Sequence, residues 1–332
     1  MKKILIAGAG GFIGGHLVSH FLKEKNYNLV CVDIKPIEFW FQSYDNLENY
    51  SLDLKDYNNC LKVTKGVEHV FNFACNMGGM GFIENNKAEC MLSVLINTNL
   101  LRAIVENKCK KYFFSSSACV YNASKQKSTF ISGLKETDAY PADPEDGYGW
   151  EKIFSERMCR HFTEDFGIET RIARYHNIYG PSGTFDGGRE KAPAALCRKI
   201  IQAKKKNSKY IDVWGDGEQT RSFLYIDDCI KGTLDVFNHT KHDIFNIGSE
   251  EQVSINQMIE IIEEIANFKV KKNYQLDKPK GVRGRSSDNS YVTKKIGWKS
   301  KNTLKEGLTK TYKWIEEKIN SGSNIDKFCR GR

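Results

Sequence analysis

Tyr148 and Lys152 stand four residues apart in Tyr148-Gly149-Trp150-Glu151-Lys152, a spacing that puts both side chains on one face of a helix. A phenol is a weak base at neutral pH. Bringing its ordinary value near 10 to pH 7 takes a drop of about 3 pH units, or roughly 4 kcal/mol of electrostatic help, and a nearby ammonium such as Lys152 has the right sign to supply part of it. Upstream, Phe113-Phe114-Ser115-Ser116-Ser117 reads as a strand ending in hydroxyls, where Ser117 can hydrogen-bond a reacting oxygen. Ser117, Tyr148 and Lys152 together suit removal of a proton from an alcohol as hydride leaves the same carbon.

A hydride needs an acceptor, and the amino terminus offers a place for one. Gly8-Ala9-Gly10-Gly11-Phe12-Ile13-Gly14 follows a predicted strand and opens a predicted helix. In that context Gly8, Gly11 and Gly14 permit the tight turn and close backbone approach of a dinucleotide pyrophosphate, with Phe12 and Ile13 beside it. The next strand ends at Asp33, placed to accept hydrogen bonds from ribose hydroxyls and to repel a ribose phosphate, which favours NAD over NADP. Lys35 leaves the phosphate-bearing form open. Asp53-Leu54 either holds the adenine or begins a helix with Asp53 as its cap.

These residues must be carried by a scaffold, and apolar strand patterns at residues 3–7, 28–33, 69–74, 112–116 and 170–175 alternate with helical patterns at 14–25, 88–107 and 148–166. That alternation predicts an α/β fold, a Rossmann-type doubly wound parallel sheet. We place this domain at residues 1–176. A smaller α/β substrate-binding domain follows at 177–332, with a short strand at 210–214 and amphipathic helices at 255–266 and 304–319. Segments 222–227 and 244–247 read as strands able to return to the first sheet.

The 332 residues carry a formal charge of +9, 40% hydrophobic residues and only six prolines, a globular composition. The charge admits nucleic acid, an acidic membrane or a small anion as partner; the densest run, Lys204 to Lys206, reads as a solvated helix end. Ten widely spaced cysteines without a Cys-x-x-Cys pair predict reduced thiols and no metal site. No signal-peptide pattern and no membrane-length apolar run are read, so a soluble cytoplasmic protein is expected.

Five further segments carry a resemblance: Asn76-Met77-Gly78-Gly79-Met80-Gly81, Ser116-Ser117-Ala118-Cys119-Val120-Tyr121, His176-Asn177-Ile178-Tyr179-Gly180-Pro181, Gly187-Gly188-Arg189-Glu190-Lys191-Ala192-Pro193-Ala194-Ala195 and Val282-Arg283-Gly284-Arg285. With them the chain resembles, over nearly its full length, the extended short-chain dehydrogenase/reductase family of NAD-dependent sugar-nucleotide epimerases and dehydratases. Among these it is most similar to epimerases acting on GDP-sugars. The resemblance implies a Ser117, Tyr148 and Lys152 triad, bound NAD, and a GDP-sugar substrate rather than nucleic acid or membrane. It implies transient oxidation at C4, which acidifies the hydrogens on C3 and C5, with Cys119 and Lys191 as the acid/base pair. Related dehydratases carry Asp and Glu where this chain has Ala118 and Cys119; their replacement argues for epimerisation without loss of water. Substrate contacts are implied for Gly78, Ser116, Ser117, Cys119, Asn177, Glu190, Lys191, Ala192, Lys199, Gln219 and Arg221. Of Arg283 and Arg285, Arg283 is chosen for the diphosphate. A homodimer through helices 88–107 and 148–166 is expected.

The residues alone leave alternatives. Cys119 is equally a small buried residue at a strand end, and Lys191 a solvated loop lysine. Another sugar-nucleotide enzyme, such as a UDP-sugar 4-epimerase or a decarboxylase, needs only the triad and NAD. A non-catalytic NAD-sensing or nucleic-acid-binding module has only the positive charge in its favour.

Overall fold

Every second residue of the first strand faces the same side of the sheet, and in β1 (Lys2–Ala7) both sides are apolar. Ile4 and Ile6 enter one core with Leu17 and Phe71, while Leu5 and Ala7 enter another with Val70, Leu100 and Tyr112. A strand buried on both faces reads as a continuous apolar run and needs helices on each side. Each fully buried aliphatic side chain contributes roughly 1.5–3 kcal/mol.

The computed structural model describes residues 1–239, 242–322 and 326–329. Its main sheet comprises β1, β2 (Tyr27–Asp33), β3 (Glu48–Ser51), β4 (His69–Asn72), β5 (Lys111–Ser117), β6 (Glu169–Tyr175) and Ile244–Ile247. All pairings are parallel, in the spatial order Ile244–Ile247, β6, β5, β4, β1, β2, β3. The order reverses between β1 and β4, so a crevice opens at their carboxyl ends, the usual place for a ligand in such sheets. Six helices accompany these strands: α1 (Phe12–Glu24), α2 (Tyr57–Thr64), α3 (Met80–Asn85), α4 (Lys87–Met91), α5 (Ser93–Glu106) and α6 (Asp146–Phe166).

Three expectations change. Segment 222–227 does not return to the main sheet: Thr220–Ser222 pairs with Gln252–Ser254 and Gly284–Arg285, and Leu224–Tyr225 pairs with Ile178–Tyr179. The free edge of β6 is taken instead by Ile244–Ile247, which fulfils the returning-strand reading at 244–247 alone. The helix expected at 88–107 is two, α4 and α5, meeting at Leu92. Contrary to the sequence reading, the stretch Lys87–Glu106, with a mean hydropathy of 1.3, is long and apolar enough to cross a membrane by length and composition. One side of it packs into the core through Leu100, Leu101 and Ile104. The outer side leaves Met91, Leu92 and Leu95 exposed, and α6, which packs against α4 and α5, leaves Trp150 and Phe154 exposed.

Candidate active site

A cavity of about 910 Å³ lies along the carboxyl edge of the sheet. It is lined by the glycine loop, Asp33, Asp53 and Leu54 at one end and by Ser117, Cys119, Tyr148, Lys191 and Arg221 at the other. Of the residues singled out from sequence, all line it except Lys152 and Arg283.

Tyr148 sits in the first turn of α6, buried, with Ser117 hydrogen-bonded to its side chain. Lys152 lies one turn further on, beneath the wall: its ammonium is 3.4 Å from Glu151 Oε2, and it stands over the rings of Phe114 and Tyr148 at 4.8 and 5.5 Å from their centroids. The lowering of Tyr148 expected from Lys152 does not prevail in the protein by itself. Burial is the main cause that raises the Tyr148 phenol well above its ordinary value, and the Ser117 hydrogen bond acts against it. Tyr148 is therefore a neutral phenol in this state, a proton donor by default.

Ser116 also lines the cavity, but its hydroxyl donates to Glu156 Oε1 at 2.5 Å. Glu156 in turn accepts two hydrogen bonds from Arg174, at 2.8 and 2.7 Å, in a fully buried pair. Ser116 thus anchors the end of β5, leaving Ser117 to face the cavity. Neither Glu156 nor Arg174 is recognisable in the sequence as part of the site, because each lies inside an otherwise ordinary helix or strand.

Cys119 follows the end of β5 in a single 3-10 turn whose amino cap is Ser117, which accepts from Cys119 N–H at 3.2 Å. Lys191 is the cap residue of α7 (Ala192–Lys205), with Pro193 in the first turn, where its missing N–H costs nothing. Burial pushes the Cys119 thiol up and the Lys191 ammonium down. Each lies within the other's electrostatic reach. The bland reading of Lys191 as a solvated loop residue does not hold, since its side chain borders the cavity.

The loop bearing Lys191 is held by the Asn76–Gly81 segment, more than 100 residues away in the chain. Arg189 donates to Asn76 Oδ1 at 2.8 Å and Met77 O at 3.2 Å and stacks on Phe82 at 3.8 Å. Gly79 N–H donates to Arg189 O at 3.0 Å, and a Cβ on Gly79 would lie 2.5 Å from Glu190 O. Two segments that carried the resemblance are thus the two halves of one clamp.

A scan against protein-family models matches residues 4–248 to the NAD dependent epimerase/dehydratase family. This chain belongs to that family. Among its relatives, GDP-mannose 3,5-epimerase 1 of Oryza sativa subsp. japonica is 47% identical over 318 residues, covering 96% of this chain and 82% of the relative. GDP-mannose 3,5-epimerase of Arabidopsis thaliana is 47% identical over 320 residues, covering 96% and 83%. A solved UDP-glucuronic acid 4-epimerase from Bacillus cereus, in complex with UDP-glucuronic acid and NAD, aligns with a TM-score of 0.80 and 26% identity over 95% of this chain and 99% of that one. The fold is also that of a UDP-glucose 4-epimerase from Thermotoga maritima, with a TM-score of 0.85 and 24% identity over 96% and 99%.

The cofactor of an NAD-dependent epimerase/dehydratase is NAD, and the residues present fit it. Gly8 has φ +81°, and a Cβ on Gly14 would run into the Gly8 carbonyl, so strand and helix approach as closely as only glycine allows. The cap of α1 is Gly11, without a side-chain acceptor, which leaves first-turn N–H groups for a pyrophosphate. Asp33, buried at the end of β2, lines the cavity with its carboxylate steadied by Lys35 N–H at 3.0 Å. Lys35 points its ammonium at Gly10 O, 2.6 Å away. The cap reading of Asp53 does not hold: α2 is capped by Asp56, whose carboxylate accepts from Asn58 N–H at 2.8 Å, and Asp53 lines the cavity.

At the substrate end of this epimerase/dehydratase, Asn177 adopts φ 46° and ties its amide to Ser222 O at 3.0 Å. Lys199 donates to Asp212 O at 2.7 Å. Gln219 donates to Trp214 O at 2.9 Å, and its buried Oε1 has no partner among the described residues. Arg221 is buried, and burial lowers its pKa to about 10. Arg283, chosen for the diphosphate, has its guanidinium on both oxygens of Asp216 at 2.9 Å and does not line the cavity, whereas Arg285 borders it. The two arginines differ in their partners: Asp216 holds Arg283, and Gln126, Cys119 and Glu145 hold Arg285.

Proposed function

We propose that this chain converts GDP-mannose to GDP-L-galactose, GDP-L-gulose or both, as a GDP-mannose 3,5-epimerase. The observation that carries this is Cys119 and Lys191 bordering the same cavity as Ser117 and Tyr148, in a chain 47% identical to two GDP-mannose 3,5-epimerases. NAD held by the Gly8–Gly14 loop and Asp33 would supply the acceptor, and later the donor, for a hydride at C4. Tyr148, with Ser117 beside it, holds the C4 hydroxyl and exchanges its proton. The C4 ketone makes the neighbouring C–H bonds acidic; Cys119 removes a ring proton and Lys191 supplies one. A lysine whose ammonium is destabilised by burial gives up its proton readily, and the thiolate of Cys119 is a soft base in the place where related dehydratases carry a carboxylate. Arg221 and Gln219 suit the diphosphate end, the arginine by charge-assisted hydrogen bonds.

Incubation with GDP-mannose in heavy water, with products identified by NMR, tests substrate, reaction and positions together. The expected products carry deuterium at the inverted carbons. Inversion of UDP-sugars at C4 without solvent deuterium, and no change in GDP-mannose, would replace this reading with a UDP-sugar 4-epimerase.

We also infer a cytoplasmic homodimer. Ten free cysteines suit a reducing compartment, and the exposed Met91, Leu92, Leu95, Trp150 and Phe154 form an apolar face that a second copy would cover. Leu95→Glu should convert a dimer to a monomer in sedimentation velocity; a wild-type monomer would remove the inference.

A further inference from the structure

Arg285 is buried at the edge of the cavity and reaches three side chains at once. Its Nε donates to Gln126 Oε1 at 2.6 Å, its Nη1 to Cys119 Sγ at 3.6 Å, and its Nη2 to the carboxylate of Glu145. A guanidinium is planar, with its donors in a fixed fork. With Nε and Nη2 seated on Gln126 and Glu145, Nη1 is left aimed at the sulfur. Glu145 is fixed in turn: its other oxygen accepts from Val282 N–H at 3.3 Å, and its own N–H donates to Cys119 O at 3.1 Å. It therefore holds both the backbone of Cys119 and the arginine on its sulfur.

A base in this reaction must lose its proton and regain it. A buried thiol alone keeps its proton too firmly, and a thiol facing an uncompensated buried arginine would release it so readily that little basicity remained. The carboxylate of Glu145 neutralises most of the arginine's charge, leaving a near-neutral pair against the sulfur. Tyr148, Lys191 and Arg221 also act on Cys119 from other elements, and the Ser117 hydroxyl hydrogen-bonds its side chain, while Arg285 brings a charged donor to the sulfur.

We propose that Glu145 is a positioning residue for the acid–base step: through Arg285 it aims one N–H at Cys119 Sγ, and by its own charge it keeps that thiol able both to give and to take a proton. This rests on the reading of Cys119 as an acid–base group. The test is the pH dependence of Cys119 alkylation by iodoacetamide in the NAD-loaded enzyme, resolved to the Cys119 peptide by mass spectrometry. Glu145→Gln keeps the acceptors for Arg285 and Val282 and removes the charge, so the midpoint should fall by about one pH unit, a tenfold gain in thiolate at a given pH. Arg285→Gln should raise it by a similar amount. The acid limb of solvent-deuterium exchange into substrate should move in the same two directions. A Glu145→Gln midpoint that stays put or rises overturns the proposal, as does an Arg285→Gln midpoint that stays put or falls; if the first variant does not fold, the second decides. Alkylation needs no turnover, so a chain that leaves GDP-mannose unchanged yet shows both shifts keeps this relay and loses only the reaction.

Discussion

At the nucleotide rim of the cavity, Gly8, Gly11 and Gly14 lie within one turn and its helix, and Asp33 stands at the end of the adjacent strand. At the acid–base end, Cys119, Glu145, Lys191 and Arg285 come from four separate segments, and the arginine that touches Cys119 lies 166 positions further along the chain. The first region is made of backbone and needs only local geometry. The second is made of side chains and depends on distant loops gripping one another. Cofactor binding and epimerisation should therefore fail separately.

The largest effect that would break this division comes from the residue shared by both ends. Tyr148→Phe removes the hydroxyl that exchanges the C4 proton, so turnover should fall by about 10²- to 10⁴-fold while NAD, followed by isothermal titration, still binds. Next, Cys119→Ala should retain NAD and GDP-mannose but bring wash-in of solvent deuterium to background; undiminished exchange would remove Cys119 from the mechanism. Arg189→Ala releases the clamp between the Asn76–Gly81 segment and the Lys191 loop. Hydrogen bonds from a charged donor are worth about 1.5–3 kcal/mol, so kcat/KM should drop roughly 10- to 100-fold with NAD affinity unchanged. The smallest effect is expected for Asp33→Ser, which should weaken NAD binding about tenfold and leave the exchange rate at saturating NAD as it was. Equal losses of NAD affinity in Arg189→Ala and Asp33→Ser would show that the two ends are one cooperative unit.

The same contrast explains what could be read from the sequence. The Gly8–Gly14 loop, Asp33, and the Tyr148 and Lys152 pair are local patterns, and their periodicity announces both the parallel sheet and the helix that bears them. Lys191 and Cys119 took their acid–base roles from resemblance to a family; their neighbours, the triad serine two residues before Cys119 and the Gly187–Pro193 loop around Lys191, are compatible with those roles without specifying them. Arg283 was chosen over Arg285 because nothing in the sequence marks the distant partners that distinguish them, Asp216 for the first and Gln126, Cys119 and Glu145 for the second. Glu145 reads as an acid at a helix start, and its partner lies in another element. The Lys87–Glu106 stretch was passed over as too short an apolar run because its polar residues interrupt the pattern without lowering its mean hydropathy below that of a spanning helix.

Gly149 gives this arrangement a consequence for redesign. A Cβ there would collide with the Cys119 carbonyl, so α6 lies against the turn after β5 with no room between them. An engineer wishing to convert the site from inversion to elimination would therefore write carboxylates at Ala118 and Cys119, whose side chains can change while that backbone seam stays shut, and would leave position 149 out of every library.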